Sequence, residues 1–188
     1  MNTLKYSTDW SSNEMSATFV YNTRKYGSRS IACIGDEEVC VLVPDRLQDK
    51  EILLHLRCYR ACKHLPDLHK IGWCPITSRG RRHKSSFSLV YKMPLYYKVS
   101  SARNMLLFNM LKSEWQQILY ELSDSKREKK LNAIYDYLAG SDIAEYQELA
   151  DLIYVTRDFR DDWMMEVSKR NVAEDINGNI IWLDMLFV

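Results

Sequence analysis

Apolar and polar residues alternate in short runs over the first half of the chain and recur at helical spacing over much of the second. Between Ser16 and Val43, β-branched and aromatic residues dominate, with breaks at Tyr26-Gly27 and Gly35-Asp36. Short runs bounded by turn residues predict three antiparallel strands there, the last ended by Pro44-Asp45. Ile52, Leu53, Leu56, Tyr59 and Arg60 then fall at helical spacing behind the capping residues Asp45 and Asp49. A helix of about four turns follows, closed by Pro66. Residues 69–74 and 85–93 read as two strands joined by a basic tip, Ser78-Arg79-Gly80-Arg81-Arg82-His83-Lys84.

From Ser101 onward the period changes, predicting helices over 103–122, 126–138 (stopped by Gly140) and 143–159. In the first of these, Leu106, Leu107, Met110, Leu111, Trp115, Ile118, Leu119 and Leu122 form a broad apolar stripe that reads as core. The stretch 171–187 breaks at Asn177-Gly178, a type I′ hairpin signal, and its second arm, 179–183, reads as a buried strand. The polar opening, 1–13, reads as the longest flexible segment. The order is therefore sheet, one helix, two strands, helices, hairpin: an α+β chain.

Composition narrows this little. The 188 residues suffice for one domain with its own core, and 46% hydrophobic with 27% charged residues exclude disorder and fibrous architectures. A net charge of +1 gives no global pull toward nucleic acid or membrane. No run of eighteen apolar residues occurs and the opening lacks a signal peptide, so a cytoplasmic, non-membrane protein is expected. Five cysteines without scaffold spacing are then expected as thiols.

The end of the chain carries the most specific motif. Glu166-Val167-Ser168-Lys169-Arg170-Asn171 is followed by Asp175-Ile176-Asn177-Gly178-Asn179-Ile180-Ile181-Trp182-Leu183-Asp184. This resembles the catalytic loop and metal-binding aspartate of protein kinases, in particular the small early serine/threonine kinases of bacteriophages. The resemblance covers 27–187 and implies a minimal protein-kinase-like fold: one domain over 1–188, with a small antiparallel N-lobe carrying one helix and a hinge over about 14–94, then a truncated helical C-lobe over 95–188. It implies that Glu166 orients an acceptor hydroxyl, and that Asn171 and Asp184 hold the magnesium of bound ATP. Gly27 and Ser28 stand where the phosphate loop would be, and Glu51 where the ion-pairing glutamate would be. Backbone groups near Lys92, Met93 and Leu95 stand where the hinge meets an adenine edge.

The chain departs from that family in its chemistry. The strand 38–43 carries no lysine to grip the phosphates, leaving Arg24, Lys25 or Arg29 to reach in. Its loop keeps one glycine, Gly27. Glutamate replaces aspartate at 166, displacing the carboxylate by one methylene, and the chain stops at Val188, before the segments that seat a peptide. These departures favour a phage-type pseudokinase that binds and modulates a host protein, against the alternative of an active ATP- and magnesium-dependent serine/threonine kinase. A third reading places Arg79, Arg81, Arg82 and Lys84, with Arg24 and Lys25, on an acidic protein or on the phosphates of nucleic acid, though no aromatic residue interleaves for stacking. His55, Cys58 and Cys62 share a helical face, with His64, His69 and Cys74 beyond, but without paired Cys-x-x-Cys knuckles zinc is disfavoured.

Overall fold

The computed structural model describes residues 2–26, 30–44, 56, 61–75, 87–156, 164–183 and 185–187. The chain is α+β and divides into two compact units, Met1–Lys50 with Asp67–Leu95, and Glu51–Pro66 with Tyr96–Val188.

The first unit is all strand among its described residues: β1 (Asn2–Tyr6), β2 (Ala17–Tyr21), β3 (Thr23–Tyr26), β4 (Ile31–Ile34), β5 (Glu38–Pro44), β6 (His69–Pro75) and β7 (Phe87–Pro94). Five form an antiparallel sheet in the order β3-β4-β5-β7-β6, and β1 pairs with β2 separately. The register aligns two cross-strand rows, Arg24, Cys33, Cys40, Lys92 and His69 in one, and Lys25, Ala32, Val41, Tyr91 and Lys70 in the next. Successive side chains point to opposite faces, so these rows belong to opposite faces of the sheet. On the first face, Cys33, Cys40, Leu42, Cys74 and Val90 pack with Leu4 and Tyr21 of the β1–β2 pair into one core cluster. On the second, Val39, Val41, Val43, Leu89 and Tyr91 are buried.

Two expectations are corrected here. The opening segment contains a strand rather than being flexible throughout, because Leu4 buries against the sheet while Asn2, Thr3 and Lys5 face water. The stretch 16–43 holds four strands rather than three, because Asn22 interrupts the first run. Its N–H donates to the Ile34 carbonyl (2.8 Å) and its Nδ2 to Asp36 (2.6 Å). Ser7 and Trp73 exchange backbone bonds of 2.8 and 3.0 Å, tying the end of β1 to the edge strand β6. A Cβ at Gly72 would stand 2.0 Å from the Ser7 carbonyl oxygen, so this close approach requires glycine.

The second unit holds α1 (Ala102–Glu121), α2 (Arg127–Ala139), α3 (Ala144–Thr156), β8 (Met164–Met165), a 3₁₀ turn (Lys169–Asn171), β9 (Val172–Glu174), β10 (Ile180–Trp182) and β11 (Leu186–Phe187). The Ser101 hydroxyl accepts from the Asn104 N–H to start α1, and Gly140 ends α2. The buried stripe of α1 runs through Asn104, Leu107, Phe108, Leu111, Trp115 and Ile118. Leu106 (59% exposed) and Met110 (40%) face outward, contrary to expectation, because one turn of a helix shows the core only a narrow arc. Of the helix predicted before Pro66, Leu56 is described as helical and buried, residues 61–66 are described and not helical, and the rest lies outside the described residues.

The late hairpin forms, but its turn differs from the type I′ signal. Among the described residues no non-glycine takes positive φ, and Gly178 (φ 80°) alone closes a three-residue loop. The cause is Asp175: its Oδ1 accepts from the Asn177 and Asn179 N–H groups (2.9 and 2.8 Å) and its Oδ2 from Asn179 Nδ2 (2.8 Å). That side chain organises the turn in place of a second left-handed residue.

Candidate functional site

The candidate site lies in the second unit. β8 pairs with β11, Met165 opposite Leu186, while β9 pairs with β10, Trp182 opposite Val172. The chain therefore leaves β8 through a loop at 166–171, runs out and back along the hairpin, and returns beside its starting point. Backbone bonds close this circuit: the Glu166 N–H donates to the Met185 carbonyl (2.8 Å), and the Leu183 N–H to the Asn171 carbonyl (2.9 Å).

Asn171 is buried, and its Nδ2 donates to the Glu166 carbonyl oxygen at 3.2 Å. This bond fixes the amide, directing its nitrogen into the loop, and the amide oxygen remains as the atom suited to a hard cation. Asp184 lies outside the described residues; its neighbours Leu183 and Met185 are those bonded to Asn171 and Glu166. The Glu166 carboxylate accepts from Arg170 Nη2 in an i, i+4 pair, with the arginine largely exposed. A cation so placed competes for the carboxylate that would orient an acceptor. Ser168, which sequence reasoning did not single out, has its Oγ buried with no hydrogen-bond partner among the described residues.

Two buried anchors hold the circuit in place. Glu174, at the end of β9, accepts from the Ser100 N–H (3.1 Å) and hydroxyl (2.9 Å), the Ser101 N–H (3.0 Å) and Asn104 Nδ2 (2.8 Å). Tyr97 and Glu174 also exchange backbone bonds of 2.8 Å each. The Ser101 N–H above all, outweighing burial with the help of Asn104 and Ser100, holds the Glu174 carboxyl down at about 2. Trp182, fully buried, donates Nε1 to the Glu145 carbonyl (3.0 Å) and its N–H to the His64 carbonyl (2.8 Å). The Glu148 carboxylate accepts from the N–H groups of Lys63 (2.9 Å) and His64 (2.8 Å). A carboxylate inside the apolar run Val172-Ala173-Glu174 was the sequence signal for the first anchor, because an acid at a strand's buried end must find donors.

The other candidate residues are spread more widely. Gly27, Ser28, Glu51, Arg79, Arg81, Arg82 and Lys84 lie outside the described residues. Lys92 is half-buried, its Nζ 2.8 Å from Glu38 Oε2. Met93 stands opposite Val39 in the sheet, and the Leu95 N–H donates to the Glu37 carbonyl at 2.7 Å, so that amide is already committed.

His64, far from acting as a free ligand, places Nδ1 3.0 Å from the Ile180 carbonyl, and His69 pairs with Asp67 at 3.1 Å. Cys33, Cys40 and Cys74 are free thiols. Burial pushes Cys40 up to about 12 and Cys74 to about 11, leaving both protonated and unreactive at neutral pH. Among the described residues, no cluster of three or more His, Cys, Asp or Glu side chains could hold a metal, and no helix is long and apolar enough to cross a membrane. Compared with protein-family models, with curated proteins and with solved structures, the chain matches none.

Proposed function

We propose that the chain is a degenerate kinase-like domain of the phage-encoded type, which acts as a pseudokinase by binding and modulating a host protein and retains a vestigial nucleotide–magnesium site. The observation that carries this reading is the loop at 166–171: Asn171 is locked to the Glu166 carbonyl, and backbone bonds join the same two residues to either side of position 184. Kinase catalysis needs an amide oxygen, a carboxylate and an acceptor-orienting group converging on one phosphate, and this circuit has the spacing for all three. The first unit supports the reading too, with a five-stranded antiparallel sheet.

The donor chemistry fits magnesium, since an amide oxygen and a carboxylate are hard oxygen ligands. Bound magnesium would neutralise the nucleotide phosphates. In this chain Asn171 and Asp184 would hold it, and Glu166 would orient the acceptor hydroxyl.

Binding is favoured over catalysis for two reasons. The third strand of the sheet, β5, presents only Val39, Val41 and Val43 on the face not covered by β1 and β2. One missing preorganised charge typically costs about 3 kcal/mol of transition-state stabilisation. Second, Glu166 is engaged by Arg170. The active-kinase alternative rests on the retained, buried Asn171.

Incubation with labelled ATP and magnesium, alone and with host lysate, separates the two. The wild-type protein is expected to transfer no more label than Asn171→Ala or Asp184→Ala. Transfer by the wild type that vanishes in both variants would overturn the pseudokinase reading.

A further inference from the structure

The sheet edge at β6 gathers aromatic side chains that lie far apart in the sequence. Trp73 pairs with Leu89 and Lys70 with Tyr91, so Lys70 and Trp73 share a face with Phe87, two residues before Leu89 on β7. The Trp73 and Phe87 rings meet edge to face, 6.2 Å between centres. Leu89 and Tyr91 are buried, whereas Trp73 and Phe87 are half-buried and Lys70 is exposed, so this face opens to solvent at its margin. The loop after β1 adds a third ring. Ser7 and Trp73 exchange backbone bonds and Trp73 Nε1 donates to the Asp9 carbonyl at 3.0 Å, which fastens the loop to β6. The next residue, Trp10, is 55% exposed, with Lys70 Nζ 5.1 Å from its ring centre. The neighbouring carboxylate, that of Asp9, is turned onto the Ser11 N–H and hydroxyl, at 2.8 Å each.

We propose that this margin binds single-stranded nucleic acid, with bases stacking on Trp10 and on the Trp73–Phe87 pair and a phosphate meeting Lys70. Charge decides for a polyanion. β6 ends at Pro75, opposite Phe87 where β7 begins, so the connection 76–86 is rooted beside the Trp73 and Phe87 rings. That connection carries Arg79, Arg81, Arg82 and Lys84 and no carboxylate. Rings beside cations suit a single strand, since every base has a π face and every nucleotide a negative charge. No aromatic residue interleaves with those cations in the sequence; the fold supplies the rings instead, one of them from the loop after β1. An acidic polypeptide matches the cations but offers its carboxylates, not flat bases, to the rings. The sugar is not distinguished, because stacking does not read the 2′-hydroxyl.

This surface belongs to the first unit alone and does not depend on the kinase-like reading. Fluorescence anisotropy of the full chain with labelled oligothymidine and oligouridine of about 15 nucleotides tests it over a range of salt concentrations. The wild type is expected to bind both strands and to hold a duplex of the same length about tenfold more weakly, its bases being stacked inside. Trp10→Ala is expected to weaken both strands about tenfold with the salt slope unchanged, and Trp10→Phe to restore most of the loss. Arg81→Ser combined with Arg82→Ser is expected to flatten the slope of log affinity against log salt by about 1.4. Absence of binding at about 0.1 mM protein, an affinity indifferent to Trp10→Ala, or a slope indifferent to the double variant would overturn the proposal. Competition by polyglutamate as effective as by unlabelled oligothymidine would overturn it in favour of an acidic protein partner.

Discussion

Replacing Glu174 with alanine is expected to destabilise the second unit by about 4 kcal/mol, enough to move its urea midpoint by more than 1 M. The carboxylate takes four hydrogen bonds from Ser100, Ser101 and Asn104, and it is buried. Truncation leaves the Ser100 and Ser101 N–H groups without their acceptor, while buried Asn104 keeps only its bond to the Gly178 carbonyl (2.9 Å). Glu174→Gln should cost less, because one oxygen survives, yet its NH₂ would face donors.

The same group gives a pH signature. Its folded pKa of about 2 is below the ordinary 4.5, so its contribution is complete above about pH 4.5 and is lost as pH falls toward 2. Allowing for the exposed Ser100 donors, about 2 kcal/mol of stability should disappear across that window, and the Glu174→Ala protein should lack that portion of the acid dependence. Equal acid sensitivity of the two proteins would remove Glu174 from this role.

Trp182→Ala is the second large effect, again about 4 kcal/mol. A fully buried indole is lost from beside Tyr146, whose ring centre is 6.2 Å away, and the Glu145 carbonyl loses its donor. Trp182→Phe retains most of the packing and should cost about 1 kcal/mol for the hydrogen bond and the small void. Because Trp182 also receives the His64 segment through its backbone, the alanine variant should loosen Lys63 and His64 in hydrogen exchange before the rest of the unit. Denaturation midpoints of the two variants that differ by less than 0.5 M urea would contradict this account of the anchor.

How much of this was legible beforehand depends on the range of the interactions involved. The three helices of the second unit were plain because i, i+3 and i+4 repeats, the Ser101 cap and the Gly140 stop are local signals. The hairpin at Asn177-Gly178 was plain for the same reason, while its turn type was not, because Asp175 decides it through side-chain bonds that propensity ignores. Strand β1 was missed because its buried anchor, Leu4, finds its partner Phe19 fifteen residues away and the rest of its packing farther along the chain. The outward turn of Leu106 and Met110 could not be read from a stripe whose every member is apolar.

Within the candidate site, Glu166 and Asn171 came from the resemblance of 166–184 to a kinase catalytic loop. The roles of Glu174 and Glu148 came only from tertiary contacts with Ser100, Ser101, Lys63 and His64. The absent lysine was visible as a gap in the 38–43 strand. That Arg24 and Lys25, neighbours in sequence, belong to opposite faces of the sheet was not, since only the register shows it.

The claim beneath all of this is that Asn171 and Asp184 serve one cation at the end of the 166–171 loop. Manganese, which takes the same oxygen ligands as magnesium and broadens nearby NMR signals, tests it without requiring any activity. Titration into ¹⁵N-labelled protein with ATP present should broaden the Asn171 side-chain amide and the backbone amides of Ser168, Leu183 and Met185 first, with Asn171→Ala abolishing the effect. Broadening that begins elsewhere, or none at millimolar manganese, would contradict the account.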